Sequence, residues 1–316
     1  MFCRAGFTAT GEVSLAGAHI GGNLEFDGAT LTNPHRRVLD ADRLTVGGDL
    51  FCRAGFAATG EVNLLGAHIG GTLDVSEATL TNPDGYALDL QELRAGVLLL
   101  RDLDEPPRLT DFTHAQVGAL VDAPASWPRQ AVLDGFVYDA LYEDHPVSAR
   151  QRLGWLARSP RGYSPQPYEQ LAEVYRRAGR DQDARAVAIA KQRVRRRTLG
   201  LPARLWSLLL DGLVGYGYRT WLAGLWLLAF WLVGWLAFDR AHARQELVLA
   251  RPGEARPGFH GAVYALDTPL PVVDLRQQAV WIPRGGVQWW AWASILAGWV
   301  LTTAVVAALT GMLKRD

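Results

Sequence analysis

The feature that most constrains the fold is an internal repeat of 49 residues. FCRAGFTATGEVSLAGAHIGG, residues 2–22, returns 49 residues later as FCRAGFAATGEVNLLGAHIGG, residues 51–71. Each unit divides again, because an apolar residue followed by glycine recurs at intervals of 26, 23, 26 and 22 residues, at Ile20, Val46, Ile69, Ala95 and Val117. Repeats of this length are typical of solenoids. We predict a parallel β-helix over residues 1–146, with coils about 4.8 Å apart.

The repeat also predicts which side chains form the inside of the solenoid. We expect the residue four positions after each anchor to point inward, and these residues are Leu24, Leu50, Leu73, Leu99 and Val121. Phe26, Cys52 and Val75 continue the pattern in the first three coils. Glycine is expected after each anchor, at corners that need positive φ or close backbone approach: Gly21, Gly47, Gly70, Gly96 and Gly118. Arg101 falls where an inward apolar residue is expected, which indicates the approach to the end of the stack.

Other polar groups of the repeat are predicted to be structural. Cys3 and Cys52 occupy one column two coils apart, about 9.6 Å, which exceeds the roughly 7 Å that a disulfide tolerates between Cα atoms. His19 and His68 are likewise two coils apart, face outward and do not converge on one ion. The glycines of GAHIGG precede no helical pattern, unlike those of a dinucleotide-binding fingerprint. We therefore predict two reduced thiols, no metal and no cofactor.

The start of the sequence lies inside a repeat, since Phe2 corresponds to Phe51. No cap and no signal peptide precede it, and an uncovered solenoid end exposes strand edges. We expect this end to take an unknown protein partner, to self-associate, or to belong to a longer chain.

The period becomes helical after Pro146, and residues 147–204 are predicted to form a helical adaptor. Ser148 is a plausible N-cap, and Gly179 separates two amphipathic helices. The hairpin resembles one tetratricopeptide repeat, which is too short for a superhelix. We therefore expect it to pack on the open end of the solenoid.

Charge is distributed unevenly along a chain whose formal net charge is zero. Residues 1–175 carry a net charge of −10, residues 176–204 carry +8, and residues 205–316 carry +2. The basic segment has no interleaved aromatic residues for stacking on bases, and it directly precedes an apolar region. We predict that it contacts an anionic lipid bilayer and not nucleic acid, through Lys191, Arg193, Arg195, Arg196, Arg197 and Arg204, with Trp206 as anchor.

Two long uncharged segments follow. Residues 220–238 and 287–313 have 19 and 27 residues without a charge, and about 20 apolar residues suffice to span the hydrocarbon. We predict two transmembrane helices, preceded by an interfacial helix over 205–219. The segment before the first span is far more basic than the connecting loop, 239–286, which has six Arg and five acidic residues, and Lys314 and Arg315 follow the second span. The positive-inside rule therefore places both termini in the cytoplasm and the loop outside the cell. Within this loop, Asp267 and Asp274 are expected to be exposed acids.

Four segments carry a resemblance to a known family: GAHIGGNLEFDGATL, YSPQPYEQLAEVYRRAG, ALDTPLPVVDL and GWVLTTAVVAALTGML. They resemble an uncharacterised bacterial family of two-span membrane proteins with β-helical, pentapeptide-like cytoplasmic repeats. Many of its members carry the automatic label "membrane-associated oxidoreductase". The resemblance implies the same architecture for nearly the whole chain, but it supplies no catalytic residues.

We predict a membrane-anchored cytoplasmic scaffold that presents a β-solenoid. The alternatives are an oxidoreductase, as the family label says, and an oligomeric two-span channel or transport module. We favour a protein that is not an enzyme, because the sequence shows no nucleotide fingerprint, no CxxC motif and no set of haem or metal ligands.

Overall fold

The computed structural model describes residues 1–4, 6–143, 146–215, 221–250, 258–269 and 275–313. The chain divides into two compact units, 1–195 and 196–316. The first unit thus joins the solenoid to most of the predicted adaptor, and the boundary falls inside the basic segment.

The first unit contains a parallel β-solenoid with two principal sheets of eight strands each. In each sheet, six of the eight strands form one continuous order along the solenoid axis. Strands are numbered in chain order. One sheet contains β3 (His19–Ile20), β4 (Leu24–Glu25), β6 (Thr45–Val46), β7 (Leu50–Phe51), β9 (His68–Asp74), β12 (Arg94–Leu100), β14 (Gln116–Asp122) and β16 (Val137–Tyr142). The other contains β1 (Thr8–Thr10), β2 (Val13–Ser14), β5 (Thr30–Asp40), β8 (Ala57–Asn63), β10 (Thr79–Thr81), β11 (Leu88–Asp89), β13 (Leu109–Asp111) and β15 (Gln130–Val132). The predicted β-helix is confirmed.

The anchor residues pair in the predicted register. Ile20 pairs with Val46, Val46 with Ile69, Ile69 with Ala95, and Ala95 with Val117. Their column continues to Tyr138, which pairs with Val117 and closes the last coil.

The second inward column was predicted one residue too late in the last two coils. Leu73 pairs with Leu98, which is fully buried, whereas Leu99 pairs with Asp74 and is half-buried. In the same way Leu120, and not Val121, is buried in the next coil. The first three coils carry two glycines after the anchor and the later coils carry one, so the register shifts between Ala95 and Val97. Arg101 is consequently not at an inward position, because Leu100 fills it.

Three helices close the far end of the solenoid: α1 (Ala149–Leu156), α2 (Gln166–Arg177) and α3 (Asp181–Arg195). Ser148 caps α1 in a capping box with Gln151. Trp155 of α1 stacks on Trp127 at 5.5 Å between ring centroids. On α2, the Gln170 amide donates to the Tyr138 carbonyl at 2.6 Å. The prediction that the hairpin packs on the end of the solenoid is confirmed. Its side-chain amides donate to backbone carbonyls of the last coil, which would otherwise be an open strand edge.

The second unit is helical, with α4 (Leu201–Val214), α5 (Trp221–Ala243), α6 (Gly261–Asp267), α7 (Gln277–Val280) and α8 (Gly286–Leu313). Two short strands, β17 (Leu247–Leu249) and β18 (Trp281–Pro283), pair antiparallel. Its core is an apolar cluster shared by α5, α6, α8 and the two strands, with Phe238, Tyr264 and Trp281 among its buried side chains. Short 3-10 turns occur at Pro124–Ser126 and Arg196–Thr198.

Candidate functional site

Two of the basic residues that were predicted to contact lipid form ion pairs within the protein. The Lys191 ammonium binds the Glu169 carboxylate at 2.9 Å, and the Arg196 guanidinium binds Asp211 at 3.2 Å. Both cations are therefore held by carboxylates of their own unit. Arg193 and Arg195 are exposed on the last turn of α3 and also interact within the chain.

Arg197 and Arg204 are the predicted basic residues that the structure leaves most available. Both are exposed, Arg197 in a 3-10 turn and Arg204 in the first turn of α4. The same helix exposes Leu201, Leu205 and Leu208, of which Leu201 is 76% exposed. Leucines at this spacing share one helix face, and an apolar face beside arginines is typical of a helix that lies at a membrane surface.

The interfacial helix was predicted over 205–219, and α4 begins four residues earlier, at Leu201. Residues 216–219 lie outside the described residues. So does the side chain of Trp206, the predicted anchor, although its backbone is part of α4.

The first predicted span, 220–238, corresponds to α5, which continues to Ala243 and so takes in Asp239 and Arg240. Most of its described side chains are exposed, and the large apolar ones are Leu225, Trp226, Leu228, Leu232, Val233, Trp235 and Leu236. Its segment Gly224–Ala243 is long and apolar enough to cross a membrane, and no other helix in the described part of the chain meets that test. One such helix is weak evidence of membrane association.

The second predicted span, 287–313, lies within α8. Its first half exposes large apolar side chains, which include Trp289, Trp292, Leu296 and Trp299. Its side chains from residue 304 onward lie outside the described ones, as do Lys314 and Arg315, on which the predicted orientation depends in part.

The described part of the predicted loop 239–286 contains α6, α7 and the two paired strands. Asp267 was expected to be an exposed acid, but its side chain is buried and accepts hydrogen bonds from the N–H groups of Leu275, Gln277 and Gln278. The prediction was wrong because the backbone N–H groups, and not water, solvate this carboxylate. Asp274 lies outside the described residues.

Four of the five repeat glycines lie at close contacts between coils. A Cβ on Gly47 would lie 2.5 Å from the Gly21 carbonyl oxygen, and one on Gly118 would lie 2.7 Å from that of Gly96. Gly70 and Gly96 meet the coil before them in the same way, whereas Gly21 faces open space. None of the five has a positive φ, so close backbone approach, and not turn conformation, requires glycine here.

The other candidate groups of the solenoid are separate from one another. Cys3 and Cys52 are free thiols, Cys52 is buried, and burial raises its pKa. His19 and His68 are exposed and both pair with Thr45 between them, so they are two coils apart. The described residues contain no group of three His, Cys, Asp or Glu side chains that could hold a metal ion. The absence of a cofactor stays a prediction.

One buried charge cluster was missed by sequence reasoning. The fully buried Arg152 of α1 contacts both carboxylate oxygens of Asp122, one of them at 2.6 Å, and also Glu143 at 3.2 Å. Its position three residues from Ala149 and Trp155 on the buried face of α1 was the available signal. The cluster fastens the helices to the solenoid, although the buried Arg152 Nε has no hydrogen-bond partner.

Searches against protein-family models, curated proteins and solved structures found no significant match. The functional argument therefore depends on the geometry of the chain itself.

Proposed function

We propose that this protein is a scaffold that α5 and α8 anchor in the cell membrane, with the solenoid and both termini in the cytoplasm. The observation that carries the proposal is the uneven distribution of exposed apolar side chains. Among the side chains that the structure describes, the exposed large apolar ones other than Met1, Phe2, Val137 and Tyr142 all lie in 201–300. Soluble proteins rarely expose apolar patches of this extent, whereas lipid tails solvate them without cost.

The proposed orientation rests on the basic residues that precede α5. Arg197 is exposed in the turn before α4, and Arg204 is exposed in the first turn of α4. Anionic headgroups on the cytoplasmic leaflet attract such side chains by about 1 kcal/mol each, which favours a cytoplasmic position for the segment before the first span.

Fractionation and single-cysteine labelling test the membrane part of the proposal. We expect the full chain to stay with the membrane after alkaline carbonate extraction. A cysteine at the exposed loop position Arg244 should react with an impermeant maleimide from outside intact cells, and one at Arg197 should react only after lysis. Extraction by carbonate, or the reverse labelling pattern, contradicts the proposal.

The lipid contact is tested by paired charge variants. Arg197→Gln with Arg204→Gln should reduce the stabilisation that phosphatidylglycerol gives over phosphatidylcholine alone in the thermal unfolding of the reconstituted protein. Arg150→Gln with Arg185→Gln removes the same charge from exposed positions of α1 and α3 and should leave that difference unchanged.

The scaffold part requires a protein partner. The first coil of the solenoid is the proposed attachment point, because its apolar residues Phe7, Val13 and Ile20 are only partly buried. In-cell photo-crosslinking from His19 should capture a partner chain or a second copy, and crosslinking from His114, four coils away, serves as the control. If neither position crosslinks to a protein in cells and the purified protein is a monomer in detergent, the scaffold proposal is overturned.

A transport module is the second candidate, and α6 is the observation that favours it. This short helix packs along α5, and its buried residues Tyr264 and Ala265 share an apolar cluster with α8; short helices beside longer ones line the permeation paths of transporters. Ion flux from vesicles that contain the protein tests this candidate, and the absence of flux from oligomeric protein would remove it. No observation on the chain favours the oxidoreductase, which stays a prediction.

A further inference from the structure

The short helix α6 runs back along the outer half of α5. Its first residue, Gly261, lies against Asp239, where a Cβ would collide with the carboxylate. Four residues later, Ala265 lies against Gly234, five residues earlier in α5. At these contacts the residue numbers rise along α6 while they fall along α5. The two helices are therefore antiparallel, and α6 runs beside the apolar part of α5.

The contacts of α6 and of the residues after it indicate how far the segment descends. The Pro269 carbonyl oxygen, two residues after α6, lies so close to Gly298 of α8 that any Cβ there would collide with it. Gly298 is six residues beyond Trp292, which corresponds to about 9 Å along α8. The seven residues of α6 itself span about 10 Å. The uncharged stretch of α5 ends at Phe238, and the contact between Ala265 and Gly234 lies four residues inside it, so the end of α6 lies beside the apolar part of α5.

The chain then returns to the side from which it came. The Asp267 carboxylate accepts hydrogen bonds from the Leu275 and Gln277 N–H groups at 2.8 and 3.0 Å, and the Gln278 amide donates to the Asp267 carbonyl at 2.7 Å. Asp267 therefore ties the returning chain to the descending helix. Strand β18 follows directly and pairs with β17, which comes directly after α5.

Both hydrogen-bond donors of Thr268, at the end of α6, have partners within the protein. The Thr268 hydroxyl and its N–H both donate to the Tyr264 carbonyl, at 2.7 and 3.1 Å. Pro269 has no N–H to satisfy. The face of α6 that remains exposed is apolar, with Val263 36% and Leu266 40% exposed. A backbone at membrane depth must have its polar groups satisfied in this way.

We propose that residues 258–269 and 275–283 form a re-entrant hairpin, which enters the bilayer from the loop side and leaves on the same side. Val263 and Leu266 contact the hydrocarbon of the lipid, and Pro269 stands at the level of Gly298. The proposal rests on the proposed membrane anchoring by α5 and α8, and it adds a third membrane-inserted segment that does not cross.

Depth measurements on the full chain test the hairpin. Cys3 is replaced by Ser, the buried Cys52 is kept, and single cysteines are placed at Leu266, at Arg244 as a water-exposed control and at Leu228 as a lipid-exposed control. The protein is reconstituted in vesicles of phosphatidylcholine and phosphatidylglycerol. We expect the cysteine at Leu266 to react with an impermeant maleimide about tenfold more slowly than the one at Arg244, and its bimane adduct to be quenched by spin-labelled lipid as strongly as that at Leu228.

The two ways of failing are distinguishable. If Leu266 labels as fast as Arg244 while Leu228 is protected, the hairpin is overturned and the membrane anchor stands. If Leu228 also labels at the rate of Arg244, the membrane anchor is overturned and the hairpin with it.

A second variant tests the contact that sets the depth. Gly298→Leu should displace Pro269 and raise the labelling of a cysteine at Leu266 toward that at Arg244. Gly224→Leu, at a position in α5 with open space around it, should leave the labelling unchanged. Equal labelling in the two variants would contradict the proposed role of Gly298.

Discussion

Arg152 is the clearest case of a single side chain that the fold requires. Burial works against its charge, but the hydrogen bonds and negative charge of Asp122 outweigh burial, and the pKa of Arg152 is raised. The Trp127 indole donates to the same carboxylate at 2.7 Å. A buried pair of this kind adds little by itself, but removal of one partner leaves an uncompensated charge in the core.

Arg152→Met should therefore destabilise the first unit by about 3–5 kcal/mol. Pulse proteolysis of the full chain in detergent, over a urea series, measures the change. Arg150→Met on the exposed face of the same helix is the matched control and should stay within about 0.5 kcal/mol of the native protein. Equal effects of the two substitutions would show that Asp122 does not depend on Arg152.

A column of Asn and Asp side chains in the solenoid places the carboxylate of Asp89 in an unfavourable position for its charge. Asn63, Asp89 and Asp111 pair across three successive coils, and each accepts the N–H of the residue two positions later. Burial raises the pKa of Asp89, the Gln91 N–H opposes this, and the Asp111 carboxylate adds to the rise. The folded protein therefore binds the Asp89 proton more tightly than the unfolded chain does. The stability that the protonated carboxyl provides is present below the unfolded pKa and is lost as the pH rises through the folded pKa.

Asp89→Asn, which copies Asn63, should therefore stabilise the protein by about 0.5–1 kcal/mol at neutral pH. The gain should vanish below the ordinary pKa of Asp89, 3.8, where the native carboxyl is protonated in both states. Melting temperatures at both pH values measure this, with the exposed Asp139→Asn as control. A gain that persists at low pH would assign the effect to something other than charge.

At the scale of elements, glycine determines how closely one coil approaches the next. Gly70 lies in the middle of the stack and its Cβ would collide with the Gly47 carbonyl, while Gly21, at the equivalent place in the first coil, faces open space. A comparison of the same substitution at Gly70 and Gly21 therefore distinguishes the effect of the contact between coils from the effect of the substitution itself.

Gly70→Ala should cost about 1–3 kcal/mol through overpacking, and Gly21→Ala should be nearly neutral. Urea midpoints of the two full-length variants measure the difference. A similar loss in both would mean that the backbone conformation, and not the neighbouring coil, requires glycine.

The second inward column shows what a repeat cannot reveal about an element. The pattern holds while two glycines follow the anchor, as at Gly70 and Gly71. It fails at Gly96, where a single glycine shortens the path and turns Leu98 inward in place of Leu99. Spacing counted along the chain assumes equal bulges in every coil, and only strand pairing shows where one is missing.

At the scale of the whole molecule, position in the stack changes what the same sequence does. Residues 2–22 and 51–71 differ at only three places, which are Thr8, Ser14 and Ala16 in the first copy. Yet Phe56 and Ile69 are buried, and their counterparts Phe7 and Ile20 are only partly buried. The first copy has a neighbouring coil on one side, and the second has one on both.

Hydrogen exchange of the full chain should therefore be faster in the first copy. We expect amides of β9 to exchange at least about a hundredfold more slowly than those of β3, because local opening is cheapest at the edge of a cooperative stack. Mass spectrometry resolves the two copies, since Ala16 and Leu65, which precede β3 and β9 by three residues, distinguish their peptides. Equal protection would indicate that the first coil is covered in solution.

The sequence by itself determined the solenoid, its anchor column, the capping helices and the apolar helices, because each follows from periodicity and local chemistry. Tertiary structure alone decided three other features: the register after Gly96, the charge cluster of Arg152, and the burial of Asp267 beside the returning chain. Each of these depends on contacts between residues distant in sequence, in which a neighbouring coil or helix replaces water. Such contacts leave no period in the sequence, and so they become visible only when the chain is folded.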